Sequence, residues 1–158
     1  MPVRRQFLLK GVVGAVSALG LAVAKGSPAQ DEEVEVWKSP TCGCCKVWID
    51  RLREQGFTVR VFDTGNNAMR EKLGIPAKLG SCHTARVGGY ALEGHVPIAD
   101  IRRLLKERPD AIGLAVPGMP VGSPGMDGPD YGDRRDAYDV LLVLKGQPPR
   151  VFSHYNGK

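Results

Sequence analysis

The sequence predicts an α/β fold: a central mixed sheet with flanking helices and an extra C-terminal β-hairpin. Three observations predict it. Segments of apolar–polar alternation take turns with segments of helical periodicity, in the order β-α-β-α-β-β-α. A cysteine cluster stands where the first strand gives way to the first helix. Two last strand-like runs close the chain around the turn Gly146-Gln147-Pro148-Pro149.

Each element has its own signal. Val34-Glu35-Val36-Trp37 alternates and reads as a strand, and Ser39-Pro40-Thr41-Cys42-Gly43 reads as a turn. Residues 44–55 read as a helix with Val47, Trp48, Ile49 and Leu52 apolar and Gly56 as its stop. Residues 58–62 alternate again. A turn over 63–67, with Asn66 or Asn67 as cap, leads to a short helix reaching Leu73 and closed by Gly74 and Pro76. Residues 84–87 and 90–95 flank Gly88-Gly89, a hairpin signal. Pro97 opens a helix carrying Ile98, Ile101, Leu104 and Leu105, which ends near Arg108-Pro109. The Gly/Pro-rich stretch 113–133 reads as a long loop, and a loop of that length is expected to be a functional lid or a mobile segment. Residues 139–144 and 150–154 form the final hairpin. The β-α-β-α-β-β-α order, with cysteines in C-x-x-C register at the first strand–helix junction, is a thioredoxin-like pattern.

Residues 1–29 read as an export signal and 30–158 as one domain. Arg4-Arg5 precede Phe7-Leu8-Leu9-Lys10 and an apolar, small-residue run from Gly11 to Ala24. That run is short for a membrane span. Small-x-small sites place cleavage after Ala24 or after Ala29. The paired arginines resemble a twin-arginine signal, which implies a periplasmic protein with no membrane span in its mature form. The formal charge of +5 is largely a property of this leader. Removing it leaves 18 basic and 17 acidic side chains, a near-neutral domain with no electrostatic case for nucleic-acid binding.

All four cysteines lie beyond the leader, and three of them, Cys42, Cys44 and Cys45, fall within four residues. Thiols so crowded cannot staple distant loops. They suit a soft cation or redox chemistry. A helix N-terminus favours thiolates through its unpaired N–H groups and dipole. The bland alternative is one Cys42–Cys45 disulfide with Cys44 buried and inert. Cys82 precedes the third strand, a segment that thioredoxin-like topology brings against the N-terminus of the first helix, so Cys82 is the candidate fourth ligand. His83 and His95 are weaker candidates. Strand alternation is expected to send His83 away from the site if Cys82 faces it. Met119 and Met126 offer soft thioethers, although a Met in such a loop more often anchors it to the domain. No motif surrounds His154.

Together, Ser39-Pro40-Thr41-Cys42-Gly43-Cys44-Cys45, Ser81-Cys82-His83-Thr84-Ala85, Glu93-Gly94-His95-Val96-Pro97, Gly113-Leu114-Ala115-Val116-Pro117-Gly118-Met119-Pro120 and Gly122-Ser123-Pro124-Gly125-Met126 resemble the CopG-type copper-resistance family of exported thioredoxin-like metal-binding proteins. The resemblance spans roughly residues 34–155. It implies periplasmic copper handling, with copper ions and periplasmic copper-handling proteins as partners, and metal ligands at Cys42, Cys44, Cys45 and Cys82.

Three functions follow from these residues. The first is Cu(I) binding. Four thiolates around one Cu(I) would leave uncompensated negative charge in a partly desolvated site, whereas several bridged Cu(I) ions would neutralise it. A single tetrahedral zinc is disfavoured because adjacent Cys44 and Cys45 strain that arrangement. The second is a thiol-disulfide or copper oxidoreductase, with Cys42 as nucleophile and Cys45 as resolving thiol. The third is an iron–sulfur ferredoxin. Colour separates the third from the first, since Cu(I) thiolate is nearly colourless and iron–sulfur clusters are brown.

Overall fold

The computed structural model describes residues 33–157. The export signal and both of its cleavage sites lie outside them. The elements are β1 (Val34–Lys38), α1 (Gly43–Glu54), β2 (Val59–Phe62), α2 (Asn67–Lys72), a 3-10 turn (Ala77–Leu79), β3 (His83–Val87), β4 (Tyr90–Glu93), α3 (Ile98–Glu107), β5 (Gly113–Ala115), a second 3-10 turn (Pro129–Tyr131), β6 (Tyr138–Val143) and β7 (Arg150–Tyr155). The predicted mixed sheet, flanking helices and C-terminal hairpin are all present.

The strands form one sheet in the order β2-β1-β3-β4-β5-β6-β7. β1 runs parallel to β2, and β4 to β5, while the other neighbours are antiparallel. The β1-α1-β2 crossover places α1 over one face, so the turn before α1 emerges at the end of the sheet where β3 begins. Trp37 and Lys38 of β1 pair with Thr84 and His83 of β3, which fixes that neighbourhood.

Strand alternation divides the apolar side chains between the two faces. On one face Trp48, Ile49 and Leu52 of α1 and Ile101 and Leu104 of α3 pack with Val34, Val36, Ala85, Leu92, Leu114 and Val140. On the other, Ile75 and Leu79 cover Ala91, Ala115 and Val143. Trp48 spends its polar atom inside this core, its Nε1–H donating to the Val96 carbonyl at 2.9 Å. The C-terminal hairpin is tied to α3 through buried Asp100, which accepts from the Ser153 hydroxyl and, at 2.8 Å, from Tyr155 Oη.

Two expectations need correcting. Residues 113–133 are not a free loop. Gly113–Ala115 is a strand seated between β4 and β6. The sequence disguises it as a loop because it is only three residues long and opens on glycine. That glycine is required by proximity, since a Cβ there would lie 1.7 Å from the Ala91 carbonyl oxygen. The rest of the stretch is a strap of turns pinned to the domain. Val121 and Ser123 are buried, Val121 N–H donates to Asp136 Oδ2 at 2.8 Å, and Gly122 N–H donates to the Met126 carbonyl at 2.7 Å. A freely mobile segment would lack these anchors.

Candidate metal centre

The site forms where the turn after β1 meets α1. Cys42 occupies the N-cap position with extended backbone and makes no side-chain capping bond. Its N–H is held by the Ser39 carbonyl at 3.1 Å, which closes the turn. Gly43, Cys44 and Cys45 then form the first helical turn, which contains no acidic residue. The unpaired N–H groups of this turn therefore have no carboxylate of their own turn to bind. Cys42 and Cys45 are joined as a disulfide, and Cys44 and Cys82 are free thiols. Cys44 Sγ lies 3.6 Å from Cys42 Sγ, and it is half-buried rather than enclosed.

Cys82 reaches the cluster from the segment preceding β3. Cys45 Sγ is 3.8 Å from the Cys82 carbonyl oxygen, and all four sulfur atoms lie within 4.8 Å of one another. The abutment expected from topology is therefore what the chain adopts. Burial first, and then the adjacent Cys44 thiol, push the Cys82 thiol up to about 12. Cys82 is thus a neutral thiol in the metal-free protein.

The placement of His83 overturns the alternation argument. Cys82 lies before the first residue of β3, so the pleat does not relate the two side chains. His83 Nδ1 sits 3.4 Å from Cys82 Sγ, with the ring buried against Trp48 at a centroid distance of 4.4 Å. His95 follows the end of β4, and its Nε2 lies 3.0 Å from the same sulfur. Burial lowers the pKa of both imidazoles, that of His83 furthest, with nearby His95 adding to the effect. Both rings are accordingly neutral at neutral pH.

The strap closes over this cluster. Ser81 Oγ donates to the Gly118 carbonyl, and the Pro124 carbonyl accepts from His95 Nδ1 at 2.8 Å. Arg51 of α1 grips Asp127 through two bonds of 2.7 and 2.8 Å. Gly125, at φ +94°, passes so close to α1 that a Cβ would meet the Cys44 carbonyl oxygen at 2.7 Å. We expect Gly125→Ala to destabilise the protein by about 2 kcal/mol or more, from positive-φ strain and displacement of the strap. Chemical denaturation measures this, and a change below about 0.5 kcal/mol, the range of neutral surface substitutions, would refute the close approach. Met126 is buried and accepts from Tyr131 Oη at 3.4 Å, as a loop anchor would, whereas Met119 is exposed.

A second feature escaped sequence reasoning. Glu93, wholly buried at the end of β4, accepts from Ser81 N–H at 2.6 Å, Thr84 Oγ1 at 2.6 Å and Arg70 Nε at 2.8 Å. The Ser81 carbonyl accepts in turn from Arg70 at 2.7 Å and Asn66 Nδ2 at 3.2 Å. Both backbone groups of the residue before Cys82 are thereby fixed. The available signal was an acidic residue inside an apolar strand run.

The donor set fits a soft metal. It offers clustered sulfurs at a helix N-terminus, beside two neutral imidazoles. Residues 79–126 match a family described as a protein of unknown function, DUF411. No curated protein matches the chain. Two solved structures are similar over nearly their whole length. One, titled "Copper resistance protein copG- Form 2", is 44% identical with a TM-score of 0.72, covering 79% of this chain and 98% of its own. The other, "Copper resistance protein copG- Form 1", is 45% identical with a TM-score of 0.73 and the same coverage.

Proposed function

The chain belongs to the CopG-type copper-resistance family, and on that premise we propose that it is a periplasmic protein that holds Cu(I) through Cys42, Cys44, Cys45 and Cys82. The observation that carries the reading is the convergence of four sulfurs within 4.8 Å from two segments far apart in sequence. Copper is the cargo. Loading through all four sulfurs requires the Cys42–Cys45 disulfide to be reduced first, by two electrons and two protons from a thiol donor. Each thiol then gives up its proton as it becomes a ligand. Four thiolates bring four negative charges, so several bridged Cu(I) ions balance the site better than one. The export half of the proposal rests on Arg4-Arg5 and the apolar run that follows. None of the helices among the described residues is long and apolar enough to cross a membrane.

The Cys42–Cys45 disulfide at the start of α1 supports a second reading, a copper-linked thiol oxidoreductase. One experiment tests the main proposal. Protein recovered from the periplasmic fraction is reduced and titrated with Cu(I) against a competing chelator, with zinc present. We expect more than one Cu(I) per chain and displacement of any zinc. Retention of zinc with no Cu(I) uptake would reject the copper site, and recovery of uncleaved chain from the cytoplasm would reject export.

A further inference from the structure

The C-terminal hairpin carries a group of reactive side chains that the metal centre does not use. Tyr138 of β6 and Tyr155 of β7 stand directly opposite each other in the antiparallel register. Their side chains leave the sheet on the same face and stack, with ring centroids 4.8 Å apart and planes 4° from parallel. The hydroxyl ends of the two rings therefore lie side by side. Tyr155 Oη donates at 2.8 Å to Oδ2 of Asp100, which is 4% exposed, and Ser153 Oγ donates to Oδ1. Of the four tyrosines, Tyr155 alone donates to a carboxylate. Tyr90 donates to the Pro109 carbonyl and Tyr131 to the Met126 thioether, neither of which is a base at neutral pH. Burial first, and then the Asp100 carboxylate, hold both phenols of the stacked pair above their ordinary range, Tyr138 at about 12. Both are neutral, so taking an electron from either requires its proton to leave as well. Both rings are only half-buried, which leaves them within reach of a small oxidant.

We propose that Tyr138 and Tyr155 are an oxidative modification site, at which peroxyl-class radicals join the two rings as dityrosine while Asp100 takes the proton of Tyr155. One radical takes an electron from Tyr155 as the phenolic proton crosses the 2.8 Å bond to Asp100. A second takes an electron from Tyr138, whose proton goes to solvent. The two phenoxyl radicals couple through one ring carbon ortho to each oxygen. One C–C bond forms, two ortho C–H bonds break, and their hydrogens return to the oxygens to restore both phenols. The two electrons and the two phenolic protons, one of them by way of Asp100, convert two peroxyl radicals to hydroperoxides. Holding the rings face to face makes the coupling intramolecular, so it outpaces encounter between chains. β7 is an edge strand, held by backbone pairing on one side alone. A covalent bond to β6 would keep it in place under oxidising conditions. A purely structural role for Asp100, tying the hairpin to α3, calls for no second phenol stacked on the first. The inference uses no metal ligand and stands or falls apart from the copper reading.

The test uses the full chain, free of metal, with Cys44→Ser and Cys82→Ser and the disulfide intact, so that no free thiol consumes the oxidant or repairs a phenoxyl radical. Peroxyl radicals are supplied at a constant rate by thermal decomposition of a water-soluble azo compound in air. The expected product is monomeric protein two hydrogen atoms lighter than its parent, with dityrosine fluorescence that maps to the peptides holding Tyr138 and Tyr155. Its yield should not depend on protein concentration. Tyr155→Phe should abolish it, and Tyr131→Phe should leave it unchanged. Asp100→Asn keeps an acceptor for Tyr155 but is no base, so it should slow cross-linking by roughly 10-fold or more, a modest part of what a positioned base contributes. Circular dichroism establishes that this variant is folded. If it is not, the single-ring variants carry the same test. Tyr155 in Tyr138→Phe protein should be oxidised roughly 10-fold faster than Tyr138 in Tyr155→Phe protein, because only Tyr155 is bonded to Asp100. Dityrosine formed only between chains, an undiminished rate in folded Asp100→Asn protein, or equal oxidation of the two single rings overturns the proposal.

Discussion

Cys82→Ser is expected to remove at least one Cu(I) per chain from the reduced protein and to weaken what remains by roughly 100-fold, while leaving the fold intact. The argument turns on what serine keeps and what it loses. Its hydroxyl can still donate to His95 Nε2, the 3.0 Å neighbour of Cys82 Sγ, so the packing beside β3 survives. As a ligand it fails, because a hydroxyl is hard and stays protonated where a thiolate is needed. The remaining cysteines all lie in the turn 42–45, so partial binding should persist. The loss of one charge removes part of the drive to bind several Cu(I) ions. Cys44→Ser gives the contrast. It should lower copper content as well, yet it spares the Cys42–Cys45 pair and with it any dithiol activity. The measurement is copper per chain beside a circular dichroism spectrum for each variant. Unchanged copper in folded Cys82→Ser protein would take Cys82 out of the site and reduce the cluster to one local turn.

The fold was largely legible because most elements carry a period. Strands 34–38 and 59–62 alternate, α1 and α3 present apolar stripes, and Gly88-Gly89 marks its hairpin. β5 was illegible, since three residues carry no period and its glycine answers to the Ala91 backbone rather than to local propensity. The cysteine turn announced itself, and topology brought Cys82 to it. The histidines were misjudged for a physical reason. Alternation holds within a strand, and Cys82 lies one residue outside β3. His95 joins the site only through the return of β4 and the Pro124 carbonyl of the strap, contacts with no local signature. Glu93 and Arg70, twenty-three residues apart, are hidden from sequence for the same reason.

Arg70→Met is expected to cost about 3–5 kcal/mol, among the largest losses any single substitution in this chain would cause. An exposed ion pair contributes at most about 1 kcal/mol. The pair here is not exposed: the Glu93 side chain is fully covered and that of Arg70 is 13% accessible. Removing the guanidinium leaves a carboxylate in the interior with only Ser81 N–H and Thr84 Oγ1 to stabilise it. It also frees the Ser81 carbonyl from its shortest hydrogen bond. Burial already pushes the Glu93 carboxyl up against the pull of its three partners. Without Arg70 it should therefore take up a proton more readily, and part of the loss should be recovered at acidic pH. Adding Glu93→Gln to Arg70→Met should recover part of the loss at neutral pH, because it removes the unpaired charge and keeps an acceptor for Ser81. Denaturant unfolding of the three variants decides the matter. A loss below about 1 kcal/mol in Arg70→Met, or no recovery in the double variant, would show that the pair behaves as a surface contact and does not hold the Ser81–Cys82 segment in place.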